Sequence, residues 1–177
     1  MPRVVITGGP GAGKTSLLNA LAELGHETVE ESARSVIAER LAAGNSPRPG
    51  PQEFALEVLR RDIEKYGRTE KSSKWVFFDR GVIEAVGWAT EVGALPETEA
   101  GPTLGAYPFH PTVFVLPPWQ AIYVTDAERD HDFEHAIEVH KSLRRWYSSC
   151  GYLLHEVPCL PVAARAKHVL HTLASDA

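Results

Sequence analysis

Two hydrophobic periods alternate along the chain. Five short runs rich in β-branched and aromatic residues read as strands: Arg3 to Thr7, His26 to Glu30, Trp75 to Asp79, Thr112 to Leu116 and Tyr152 to Val157. Between them apolar residues recur at helical spacing. Leu17, Leu18, Leu21 and Leu24 follow the first run, and Ala55, Leu59, Ile63 and Tyr66 precede the third. Phe133, Ile137, His140, Leu143, Tyr147 and Cys150 lie between the fourth and fifth, and Val162, Ala166, Val169 and Leu173 close the chain. Strands alternating with helices predict an α/β fold, a five-stranded parallel sheet covered by helices on both faces. The segments Gly44 to Pro51 and Pro96 to Pro111 read as surface loops. The third break, Pro117 to Asp132, is long for an α/β connection, and loops of that kind are often lids.

Composition narrows the class. A length of 177 residues suits one domain spanning 1–177, able to bury roughly 70% of its unfolded surface without staples. The 18 Lys and Arg against 23 Asp and Glu give a net charge of −5, which argues against a general nucleic-acid or anionic-membrane surface. Cys150 and Cys159 are too few and too close for a disulfide framework or a four-ligand zinc site, and they suit a reducing cytoplasm. The apolar stretch after Arg3 is far shorter than the core of about seven residues that a signal peptide needs. No run approaches the roughly 18 apolar residues of a membrane span.

Chemistry enters at Gly8-Gly9-Pro10-Gly11-Ala12-Gly13-Lys14-Thr15, which matches G-x-x-x-x-G-K-[ST] between a strand and a helix. Glycines there let backbone N–H groups curl around a phosphate, and the helix start adds its positive end. The nucleotide-cradling set is Gly9, Pro10, Gly11, Ala12, Gly13, Lys14, Thr15 and Ser16. Lys14 would reach the β- and γ-phosphates from an exposed position, and Thr15 would offer its hydroxyl to Mg²⁺. The alternative is a glycine-rich turn capping a helix. No [NT]-K-x-D guanine motif and no L-S-G-G-Q-like transport signature occurs in the sequence, and the length leaves little room for the extra helical domain of ring ATPases. A compact kinase-like P-loop fold remains.

The most apolar run, Trp75 to Phe78, ends in Asp79-Arg80-Gly81. Ligands of doubly wound sheets lie beyond the carboxyl ends of the strands, so Asp79 is expected to hold Mg²⁺ through water or take a proton, and Arg80 to bind phosphate. A helix cap with a solvated arginine is the plain alternative. Glu30 and Glu31 end the second run, and alternation along a strand lets only one face the crevice. Glu31 is favoured as base or as a group supporting Mg²⁺ from outside its direct ligands, with Arg34 orienting substrate or phosphate, against a simple acidic helix start. Arg129, in the predicted lid, is the candidate to close over the γ-phosphate, against an exposed arginine paired with Glu128 or Asp130. His131 and His135 lack the Glu and the third ligand of a zinc site. Arg60, Arg61, Arg144 and Arg145 read as solvated helix faces.

Taken in order, this P-loop, Glu31-Ser32-Ala33-Arg34, Phe78-Asp79-Arg80-Gly81, Leu116-Pro117-Pro118-Trp119, Asp126-x-Glu128-Arg129, and Val157-Pro158 followed by Arg165 resemble the NadR-like AAA-domain P-loop family over nearly the whole chain. That family includes ribosylnicotinamide kinase domains and bacterial ATPases. The resemblance implies a nucleoside-kinase-like fold with ATP as donor, an acidic residue after strand two as base, Asp79-Arg80 near the transferred phosphate, and the loop Pro158 to Pro161 beside the adenine.

The expectation is a cytoplasmic, Mg²⁺-dependent phosphotransferase moving the γ-phosphate of ATP to a small acceptor, a nucleoside or nucleotide. Its working residues would be Lys14, Thr15, Glu31, Asp79, Arg80 and Arg129. One rival is an ATPase with water as acceptor. The other is a nucleotide-dependent switch that binds a protein or lipid.

Overall fold

A computed structural model describes residues 3–69, 74–123 and 133–175. It contains the five strands β1 (Arg3–Gly8), β2 (Glu27–Val29), β3 (Val76–Asp79), β4 (Thr112–Leu116) and β5 (Leu153–Glu156). The helices are α1 (Lys14–Glu23), α2 (Ser32–Ala42), α3 (Pro51–Arg68), α4 (Val82–Glu91), α5 (Glu97–Ala106), α6 (Phe133–Ser149) and α7 (Val162–Ser175). All five expected runs are strands of one parallel sheet, in the order β2-β3-β1-β4-β5. That order explains the composition of the runs. Every residue of β3, β1 and β4, the three inner strands, is buried, as strands covered on both faces must be, whereas the edge strands β2 and β5 are partly exposed.

The described residues fall into two compact units. One comprises residues 2–28, 74–79 and 110–177 and carries most of the sheet with α1, α6 and α7. Its core joins Val4, Ile6, Leu17, Leu21, Phe77, Phe114, Val169 and Leu173, so α1 and α7 pack together by the stripes that their sequence spacing predicts. The other comprises residues 29–73 and 80–109 and is helical. There α3 lays Phe54, Ala55, Val58, Leu59 and Tyr66 inward, α4 contributes Val82, Ile83, Val86 and Ala89, and Phe54 meets Trp88 edge to face at 5.3 Å. The Tyr66 hydroxyl donates to the Pro108 carbonyl at 2.6 Å.

Two local expectations are corrected. The break expected from Pro96 to Pro111 contains α5. Its start carries ordinary signals, with Pro96 at the cap and Glu97 and Glu99 in the first turn, but none of its residues is buried, so no apolar stripe announces it. Arg61 is not a freely solvated side chain either. It lies 22% exposed and pairs with Glu39 of α2 and Glu57 of its own helix, while Arg60 is the more exposed partner of Glu57 and Glu64.

Candidate functional site

In the sheet-bearing unit, β1 runs straight into the glycine loop and α1 begins at Lys14. Gly11 and Gly13 have φ of +73° and +83°, a region that residues with a Cβ rarely adopt. Space forbids a side chain there as firmly as the backbone does. A Cβ on Gly11 would lie 2.6 Å from the Tyr123 ring, and one on Gly13 would lie 2.9 Å from the Arg165 guanidinium. The loop is thus bare backbone wrapped at a helix start, the arrangement that aims several N–H groups at one anion.

Lys14 departs from expectation. It is buried rather than exposed, with Nζ donating to the carbonyls of Gly8 at 2.9 Å and Gly9 at 3.2 Å. An ammonium beside the loop finds the nearest carbonyl lone pairs, which keeps its charge at the mouth of the cradle. Thr15 and Ser16 remain exposed on the first turn of α1. Asp79, the last residue of β3, is buried and pairs in register with Ile6, two residues before Gly8 on the adjacent strand. The loop follows the end of β1, Asp79 ends the neighbouring β3, and a threonine hydroxyl, a carboxylate and backbone amides are donors whose chemistry suits Mg²⁺ with a polyphosphate.

In the helical unit, Arg80 follows Asp79 directly and is the one non-glycine residue with positive φ among those described, at +66°. Such strain costs about 1 to 3 kcal/mol and persists where surrounding contacts over-determine it. Those contacts are two carboxylates. Arg80 Nε lies 3.3 Å from Glu31 Oε1, and its NH1 bonds Glu84 Oε2. The second oxygen of Glu31 faces Arg34 Nε at 3.3 Å. Glu31, Arg34 and Arg80 are therefore brought together as ion partners, although Glu31 caps α2 instead of ending β2, and its neighbour Glu30 is exposed. Glu84 escaped notice. It stands in the first turn of α4, four residues after Arg80, which precedes the helix.

Asp62 also escaped notice. It interrupts the inward stripe of α3 between Val58, Leu59 and Tyr66, is buried, and accepts a hydrogen bond from the Ser32 hydroxyl. Burial raises its pKa from the ordinary 3.8 to about 6, and nearby Glu84 and Glu31 push the same way, against the hydrogen bond from Ser32 and the charge of Lys65. The folded state therefore binds this proton more tightly than the unfolded chain. The stability that it contributes is complete below pH 3.8 and is lost as pH rises through about 6. Replacing Asp62 with Asn, which keeps an acceptor for Ser32, should raise stability at pH 7.5 by about 2 kcal/mol and flatten the pH dependence between about pH 4 and 7. Urea unfolding across that range checks it; an unchanged slope would contradict the assignment.

Arg129 and the second half of the expected lid lie outside the described residues. The first half, 117–123, forms a 3₁₀ turn at Gln120–Ile122 and lays the Tyr123 ring against Gly11. Among the described residues no group of three or more His, Cys, Asp or Glu side chains could hold a metal ion by itself. No described helix is long and apolar enough to cross a membrane.

This strand-loop-helix cradle beside a parallel sheet of order β2-β3-β1-β4-β5 defines a P-loop nucleotide-binding protein of the kinase-like fold. Comparison gives the family: residues 3–165 match the AAA domain family, and the chain belongs to it. Among solved structures it resembles NadR in complex with NR, at 19% identity and a TM-score of 0.70 over 98% of this chain and 51% of that one. Only about half of that NadR chain is thus represented. Deoxyadenosine kinase from M. mycoides, solved with dCMP and dCDP, is 14% identical with a TM-score of 0.65, covering 98% of this chain and 99% of that one. Shikimate kinase from Acinetobacter baumannii, in complex with shikimate, is 17% identical with a TM-score of 0.57, covering 99% and 94%. At these identities the likeness establishes the fold. No functionally curated protein matches the sequence.

Proposed function

We propose that this protein is a cytoplasmic, Mg²⁺-dependent phosphotransferase that moves the γ-phosphate of ATP to a small hydroxylated acceptor, a nucleoside or nucleotide. The observation that carries the reading is the glycine cradle opening α1, with Lys14 held at its mouth and Thr15 and Ser16 exposed behind it. Phosphoryl transfer demands little covalent chemistry from a protein, so positioning and charge neutralisation do most of the catalysis. Lys14 exchanges its carbonyl partners for phosphate oxygens. Thr15 and Asp79 are the residues to hold Mg²⁺, which when bound neutralises charge on the β- and γ-phosphates.

Glu31 takes the acceptor hydroxyl's proton. Arg80 and Arg34 each lie 3.3 Å from one of its oxygens, ion pairs that orient the carboxylate. A base so fixed contributes by geometry, the first requirement of general base catalysis. The molecules bound in the similar structures, shikimate and deoxynucleotides, are small and carry hydroxyl groups, which supports an acceptor of that kind.

Arg129 is assigned to the closed state, where it meets the γ-phosphate as charge spreads in transfer. Arg129→Ala should lower kcat by about 10³-fold or more with a smaller effect on ATP affinity, and lysine should rescue only in part. Single-turnover transfer measures it; equal rates would remove Arg129 from the mechanism. The reading as a whole is tested by thermal-shift screening of nucleosides, nucleotides and sugars with Mg²⁺ and a nonhydrolysable ATP analogue, since bound ligands stabilise by RT ln(1 + [L]/Kd). An acceptor class that stabilises only when the analogue is present supports a kinase. Stabilisation by the analogue alone, with no acceptor adding to it, favours an ATPase or a switch.

A further inference from the structure

Arg165 lies on the inward stripe of α7 between Val162, Ala166 and Val169 and is only 5% exposed. Arginines buried to this depth are normally paired with a carboxylate. Here the guanidinium meets none among the described residues. Its NH1 donates to the Gly13 carbonyl at 3.3 Å, its plane stands over the Trp119 indole at 5.5 Å, and its enclosed Nε has no hydrogen-bond acceptor. The Gly13 carbonyl already accepts the Leu17 N–H at 3.2 Å, as the first bond of α1. Burial holds the Arg165 pKa below the ordinary arginine value, with Cys159 acting the other way. A positive charge has been carried into the protein, set against the last glycine of the phosphate loop, and given only neutral partners among the described residues.

Such a charge lowers stability unless an anion answers it. We propose that Arg165 is a positioning residue of the phosphate site, whose unmatched buried charge is answered by the polyphosphate bound at the adjoining loop. This inference rests on the reading of that loop as a nucleotide site and adds a residue to it. Through the Gly13 carbonyl the guanidinium fixes the first turn of α1 from behind, and through Trp119 it ties that turn to the segment 117–123. Its electrostatic effect needs no direct bond to phosphate, because a charge in a poorly solvated setting is weakly screened. The consequence is a trade of stability for binding. The ligand-free protein bears the cost of the buried cation, and the loaded protein recovers it.

The test compares wild type, Arg165→Met and Arg165→Lys by melting temperature without ligand and by calorimetric titration with inorganic tripolyphosphate and with ADP, both with Mg²⁺. Methionine fills similar space without charge; lysine keeps the charge without the planar fork. The expected result is a ligand-free Arg165→Met protein melting at or above wild type, yet binding tripolyphosphate at least about tenfold more weakly, with Arg165→Lys in between. Binding by Arg165→Met as tight as wild type would overturn the inference. So would a ligand-free Arg165→Met protein that melts below wild type or fails to fold, which would make Arg165 a structural pin. Wild type that binds neither tripolyphosphate nor ADP would instead refute the nucleotide site itself, and this inference with it.

Discussion

Lys14→Ala should leave a folded protein that binds ATP poorly and turns it over with kcat/KM down by about 10²- to 10³-fold or more. The size follows from position. Lys14 is the side-chain charge that the loop holds at its own carbonyls, and phosphate oxygens would replace those carbonyls without moving the backbone. Removing it leaves the Gly8 and Gly9 carbonyls with one donor fewer, a loss of about 1 kcal/mol each at a loop that water can enter. Stability should therefore fall by about 2 kcal/mol at most, less than the transition-state stabilisation that such a loss of activity represents. Paired measurements of ATP affinity by calorimetry and of unfolding in urea decide between this and a purely structural lysine, for which the two losses would be comparable.

Arg80→Ala should destabilise the protein by about 2 to 4 kcal/mol. The side chain is 22% exposed and lies between Glu31 and Glu84, which are 19% and 11% exposed, so its loss leaves two partly buried carboxylates facing each other. Partial exposure holds the cost below that of a fully buried pair. Backbone strain allows the two contributions to be separated. At φ +66° alanine keeps the strain, whereas glycine relieves about 1 kcal/mol of it, so Arg80→Gly should be the more stable of the two variants despite the greater freedom of its unfolded chain. Denaturant midpoints for the pair check this order. Acceptor-dependent turnover should fall in both, because Glu31 loses the group that fixes one of its oxygens.

What the sequence revealed, and what it hid, follows the range of the interactions concerned. The inner strands were legible because burial on both faces turns them into continuous apolar runs, as in Val76-Phe77-Phe78 and Val113-Phe114-Val115. The phosphate loop was legible because its demands are local: glycine where φ is positive, then lysine and threonine at a helix start. Glu31 and Arg34 stood out singly, three residues apart at one helix start, whereas their ion pair is a feature of the fold. Asp62 and Arg165 needed a different question. Each is a charged residue standing at an apolar position of an otherwise regular helical stripe, and a polar residue on the inward face of a helix has to be answered by something. Ser32 answers Asp62 from 30 positions away, a contact that no spacing rule reaches. The burial of Lys14 was hidden for the opposite reason, since it depends on loop carbonyls whose direction only the folded backbone sets. Helix α5 was missed because it buries nothing.

Phosphorus NMR of the purified protein with ATP, Mg²⁺ and an equimolar mixture of common nucleosides and nucleoside monophosphates tests the central claim most directly. The account predicts ADP and, in equal amount, a new phosphate ester from a nucleoside or a new diphosphate from a monophosphate, both dependent on the mixture and both absent with Lys14→Ala. Release of inorganic phosphate at the same rate with and without the mixture would contradict it.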